Sequence, residues 1–174
     1  MKSVPLIALL GFAFVQQAAF AGDEAQTTLV KVGDNAPDFT CQTLSGNEFS
    51  LGGQKGKVVL VNFFATWCGP CMEEMPHLEK QIFQTYGNQK DFALVAIGRE
   101  HDAKELAKFK SDKGFTLPIA PDPKRQIYGK YATQYIPRTF IVGKDGKIKM
   151  AAVGYSEADF RQIIATIQKE LKEP

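Results

Sequence analysis

KVVLVNFFATWCGPCMEEMPH, residues 57–77, changes its period in the middle. Lys57 to Ala65 is almost unbroken in apolar residues, the pattern of a strand covered on both faces. Past it, the apolar positions fall at Cys71, Met75, Leu78, Ile82 and Tyr86. Spacings of three and four predict a helix, ended by Gly87-Asn88. Cys68 and Cys71 stand at the joint. A thiol at a helix start meets free backbone N–H groups and the positive end of the helix dipole, which lower its pKa. Gly69-Pro70 suits a first turn, because proline there forfeits no needed N–H bond. Cys71 falls on the apolar stripe. The pair reads as an exposed nucleophile, Cys68, and a shielded resolving thiol, Cys71.

Other readings of C-x-x-C are weaker. A structural zinc site needs two more ligands, and Cys41, His77 and His101 show no paired spacing. A bridge across two residues gains little chain-entropy stabilisation, so a purely structural disulfide is a poor reason for the motif. A redox dithiol fits the strand before it and the helix after it.

Outward from this joint, Phe92 to Gly98 reads as a second buried strand. Asp102 and Glu105 form a capping box for a helix with Leu106 and Phe109 inward and Gly114 at its end. Pro118 to Pro123 reads as irregular, and Gln126 to Ala132 as a short helix. Thr139 to Val142 and Lys147 to Val153 pair across Lys144-Asp145-Gly146. Ser156 and Asp159 cap a last helix with Phe160, Ile163, Ile164, Ile167 and Leu171 inward. On the N-terminal side, Asp38 to Leu44 and Glu48 to Leu51 flank the turn Ser45-Gly46-Asn47. The order β-β-β-α-β-α-(α)-β-β-α implies an α/β fold with a central sheet covered on both faces.

The chain has 174 residues, 44% apolar and 23% charged, with a net charge of +2. That is one globular domain with no nucleic-acid footprint. Lys2, the apolar run Val4 to Val15 and Ala19-Phe20-Ala21 read as a secretory signal peptide over 1–21. An uncleaved N-terminal membrane anchor is the other reading of that segment. Residues 22–34 are expected to be a flexible tail, and 35–174 the domain.

Trp67-Cys68-Gly69-Pro70-Cys71 resembles the active-site motif of thioredoxin. Pro76, five residues after Cys71, is similar to the proline that kinks that family's helix. Ile136-Pro137 resembles the cis-proline loop that faces the dithiol, and Val153-Gly154 the glycine of the substrate groove. The span from Cys71 to Pro137 is longer than in minimal thioredoxin. With the N-terminal hairpin and the signal segment, the chain resembles the TlpA/ResA subfamily of extracytoplasmic thioredoxin-like proteins. The resemblance implies a thioredoxin-like fold with an N-terminal hairpin and a central insertion. It implies a thiol–disulfide oxidoreductase, with apocytochrome c maturation as one family role. Trp67, Gly69, Pro70, Ile136, Pro137 and Gly154 would line the substrate face.

The same resemblance singles out Glu74, which in that subfamily is buried near the dithiol. A carboxylate of raised pKa there could take the proton of the resolving thiol. In cytosolic thioredoxins a strand aspartate does this work; the matching position here is Asn62, which cannot titrate. His77, His101 and Arg138 are expected at the surface, and Cys41 as a buried, inert thiol. No cofactor or metal is expected. The expected partners are disulfide-bearing proteins and a membrane thiol protein that returns electrons, with the chain acting as a monomer outside the cytoplasm. A peroxiredoxin-like peroxidase is disfavoured, because Ala65 stands where its pattern needs threonine and no proline precedes suitably. A Cu(I)-delivery module would suit soft thiolates but lacks a histidine placed by spacing.

Overall fold

The computed structural model describes residues 26–173, so the signal-peptide reading of 1–21 lies outside the described residues. The strands are β1 (Thr40–Gln42), β2 (Glu48–Ser50), β3 (Val58–Phe64), β4 (Phe92–Arg99), β5 (Ile119–Asp122), β6 (Arg138–Val142) and β7 (Ile148–Val153). β1 and β2 form a separate antiparallel pair. The other five make one sheet in the order β5-β4-β3-β6-β7. β3, at its centre, runs parallel to β4 and antiparallel to β6.

All seven residues of β3 are buried, as its continuous apolar run requires. Alternation along the strand splits the core into two layers. Val58, Leu60 and Phe64 pack with Met75, Leu106 and Ile163. Val59, Val61 and Phe63 pack with Phe39, Phe49 and Tyr131. Asn62 shares its strand face with Leu60 and Phe64. Truncating a side chain buried like Phe63, ringed by Tyr128, Tyr131 and Phe140, would cost about 3–5 kcal/mol.

Helix α1 (Gly69–His77) follows β3 directly and contains Pro76. It runs on into a wider π-helical stretch, Leu78–Phe83, and a final turn at Gln84–Tyr86. The missing Pro76 N–H accounts for the break in the ordinary ladder. Met75, Leu78 and Ile82 stay fully buried across it. Helix α2 (Ala103–Lys113) carries the expected capping box and ends on Gly114 at φ 68°. Gly98 of β4 lets α2 lie close, since a Cβ there would stand 2.7 Å from Leu106. Helix α3 (Glu157–Lys172) starts at Ser156, whose hydroxyl accepts the Asp159 N–H at 3.1 Å.

Two expectations need correction. Pro118 to Pro123 is not irregular throughout, because Ile119–Asp122 is a strand. It lies at the edge of the sheet, where Pro121 costs no ladder bond that the fold needs. The tail expected to be flexible over 22–34 is, from Thr27 on, seamed to the domain. Leu29 donates its N–H to Tyr131 at 2.9 Å, Thr28 bridges Ala132, and Val30 is buried.

Candidate active site

β3 delivers the chain into a turn from Ala65 to Cys68, closed by the Cys68 N–H donating to the Ala65 carbonyl at 3.1 Å. Cys68 is the N-cap of α1, and the Cys71 N–H donates to its Sγ at 3.3 Å. The two cysteines form a disulfide with a Cα–Cα distance of 5.2 Å. Sulfur thus occupies the place where a helix N-terminus best supports negative charge. Cys71 is fully buried, as its place on the stripe requires. Cys68 is less open than expected, at 6% exposure. The Ile136 carbonyl oxygen, 3.6 Å from Cys68 Sγ, helps to cover it.

Ile136-Pro137 is a cis peptide, as the resemblance implies. The loop is tied at both ends. The Gly154 N–H donates to the Pro137 carbonyl at 2.9 Å, and the Tyr128 hydroxyl donates to the Tyr135 carbonyl at 2.7 Å. Gly154 adopts φ 75°, a conformation that penalises any Cβ. The loop, Gly154 and the disulfide therefore meet on one face. Trp67 stands there 63% exposed, with the Arg99 guanidinium 5.8 Å from its ring. Next to α1 lies a groove of about 480 Å³ that includes Met72, Pro76, His77 and Tyr155.

Glu74 is buried, one helical turn past Cys71, on the side of α1 that meets the sheet. Asn62 Nδ2 donates to Glu74 Oε2 at 2.8 Å, and the Thr139 hydroxyl donates to Oε1 at 3.0 Å. Asn62 Nδ2 also donates to Thr139 Oγ1 at 2.9 Å. Burial pushes the Glu74 carboxyl up to about 7, against the opposing pull of these two donors. Thr139 was not singled out from the sequence. Its only signal is the register that sets it directly opposite Asn62, across β3 and β6.

Three expectations about the other polar residues change here. Arg138 is no surface charge; it is fully buried. Its guanidinium donates to the Gln134 carbonyl at 2.9 Å and to the Thr27 and Thr28 hydroxyls at 2.7 and 2.5 Å. His101 is buried as well, with Nε2 accepting the Thr66 N–H at 3.0 Å. His77 is half-buried and stacks on Tyr155 at 5.6 Å. Cys41 is buried as expected. Burial, then the charge of Asp122, pushes its thiol up to about 11.

The Redoxin family model matches residues 31–167. The chain belongs to the Redoxin family. It is 32% identical over 169 residues to thiol-disulfide oxidoreductase ResA of Geobacillus thermodenitrificans (strain NG80-2), covering 97% of this chain and 95% of that protein. Among solved structures, it resembles a putative protein disulfide isomerase from Bacteroides thetaiotaomicron with a TM-score of 0.81 and 36% identity. That match covers 84% of this chain and 94% of the other. A putative thiol:disulfide interchange protein DsbE from Chlorobium tepidum matches with a TM-score of 0.70 and 30% identity, covering 82% and 99%. Within the Redoxin family this is a TlpA/ResA-like member of the thioredoxin superfamily, and a thiol–disulfide oxidoreductase.

Proposed function

We propose that the protein reduces disulfides of other proteins outside the cytoplasm, with Cys68 as nucleophile, Cys71 as resolving thiol and Glu74 as proton acceptor. The observation that carries this reading is the pairing of Cys68, capped by the Cys71 N–H, with a buried carboxylate one turn further on. The Cys68 thiolate attacks a substrate disulfide, forms a mixed disulfide and releases one substrate thiolate. Glu74 takes the Cys71 proton. The Cys71 thiolate then attacks Cys68 Sγ, releasing the second substrate thiolate and closing the Cys68–Cys71 disulfide. Two electrons have passed to the substrate, and a dithiol donor must return them. A membrane thiol protein fits that role, given the secretory segment at 1–21.

Trp67, Gly69, Pro70, Ile136, Pro137 and Gly154 supply the docking face, which suits an extended peptide carrying the target cysteine. Apocytochrome c, whose paired thiols must be kept reduced, is one substrate of that form. Acting as a monomer fits a face built within one chain. Insulin reduction by the dithiol form tests the direction. A Cys68–Cys71 potential well above the range of reducing thioredoxins would overturn it, because about 30 mV is a tenfold change in equilibrium.

A further inference from the structure

His101 takes no part in the chemistry above, yet it is bonded to the turn that presents Cys68. Thr66 is the second residue of that turn, and its N–H donates to His101 Nε2 at 3.0 Å. An imidazole nitrogen that accepts carries no proton, so this pattern assigns a neutral ring with its hydrogen on Nδ1. Nδ1 lies 3.2 Å from Glu105 Oε2, the oxygen that also accepts the Asp102 N–H at 3.1 Å. The capping box of α2 therefore fixes the tautomer and the orientation of the ring. The His101 side chain is only 7% exposed, so water is a poor substitute for either contact.

We propose that His101 is a positioning residue for the dithiol. In its neutral form it anchors the 65–68 turn through the Thr66 N–H, and proton uptake releases that anchor and shifts Trp67 and Cys68. The inference rests on the oxidoreductase reading of Cys68. On protonation, Nε2–H faces another donor, and the Thr66 N–H loses its acceptor. Only Thr66 Oγ1, 3.3 Å from Nε2, can take the new hydrogen. The Glu105 contact meanwhile becomes an ion pair that holds the ring in place, so the turn is what yields. Among the described residues, Glu105 of α2 meets the ring, Asp102 caps that helix, and the chain neighbours Arg99 and Glu100 are paired at 3.1 Å, with Arg125 4.0 Å from Glu100. The turn itself brings no titratable group except Cys68, which is locked in the disulfide.

Trp67 is the only tryptophan of the chain and sits beside Thr66, so its fluorescence reports on this turn. In the oxidised protein neither active-site cysteine titrates. A pH scan should show a transition in Trp67 emission that depends on His101. The transition should persist in Glu74→Gln. It should vanish in His101→Gln, whose side-chain oxygen can accept the Thr66 N–H at every pH. In the reduced protein, His101→Leu should slow alkylation of Cys68 at neutral pH about fivefold, the worth of one net hydrogen bond. His101→Gln should restore the rate. A transition that survives in His101→Gln, or is missing from the wild type, overturns the proposal. So does a folded His101→Leu protein that is alkylated at the wild-type rate. A wild type that shows the transition but does not reduce insulin would instead overturn the reductase reading and leave the anchor standing.

Discussion

Glu74→Gln should make the protein more stable and less active at the same time. The carboxyl is displaced from its ordinary 4.5 to about 7, which corresponds to about 3 kcal/mol at about 1.4 kcal/mol per pH unit. The sign follows from where the proton resides. The folded protein keeps it up to about pH 7, whereas the unfolded chain gives it up near 4.5. Between those values the folded state binds more protons, so stability falls as pH rises through the window. Below it the contribution is fully present, and above it is lost. Glutamine carries no proton to lose. Urea unfolding of the oxidised proteins should therefore agree below about pH 4.5 and diverge until, above about pH 7, the variant leads by up to about 3 kcal/mol. In melting temperature that is roughly 6–12 °C.

The fold should accept the change. Asn62 Oδ1 is buried without a partner, and turning the Asn62 amide over would offer it to the new glutamine N–H. Insulin reduction should meanwhile fall by roughly 100-fold near neutral pH, the low end of what a general base contributes, and recover as hydroxide takes over. A stability difference that is the same at pH 4 and pH 8 would refute the burial argument. A pH–rate profile that overlays the wild type would refute the proton-acceptor role.

Cys41→Ser should leave reductase activity intact, since a thiol pushed up to about 11 holds almost no thiolate at neutral pH; a folded variant that loses activity would make Cys41 a participant. Cys71→Ser should accumulate reductant-sensitive adducts with partner proteins while Cys68→Ser traps little, and mass spectrometry of trapped species reads the difference; the order of attack is wrong if Cys68→Ser traps better. Arg138→Met should loosen the N-terminal segment by removing the guanidinium's hydrogen bonds to the Thr27 and Thr28 hydroxyls and the Gln134 carbonyl, at about 1 kcal/mol for each net bond lost; hydrogen exchange at the Leu29 amide should accelerate, and an unchanged rate would refute the tie.

The sequence made legible whatever depends on local spacing. β3 announced itself by composition, α1 by the stripe from Cys71 to Tyr86, and both other long helices by their caps. The dithiol was legible for the same reason, because its chemistry needs only a strand end, a helix start and two cysteines three apart. His101, Arg138 and Thr139 were misread or missed because their roles are set by partners remote in sequence. Arg138 lies beside the cis-proline but spends its guanidinium on Thr27 and Thr28. His101 has charged neighbours in the chain, which suggested solvent, yet faces Thr66 across the sheet end. Edge position, which rescued the Pro121 strand, is likewise a property of the sheet order and not of the segment.

Asn62 shows why the site needs an amide where cytosolic thioredoxins use a carboxylate. Its Nδ2 is 2.8 Å from Glu74 Oε2. An aspartate at 62 would set two carboxylates in that contact, which could not both ionise and would split one proton between them. The amide instead serves either protonation state. Nδ2 donates to the ionised carboxylate, and Oδ1, unpartnered as the side chain now stands, becomes an acceptor for the protonated acid once the amide turns over. Thr139 can adjust in the same way, because its hydroxyl both donates to Glu74 and accepts from Asn62. These three side chains tie α1 to β3 and β6, the elements that carry Cys71, lead into Cys68 and follow Pro137. The carboxyl that must exchange a proton is thus bonded to both strands that position the dithiol, and each of its protonation states finds a hydrogen-bond partner in Asn62 or Thr139.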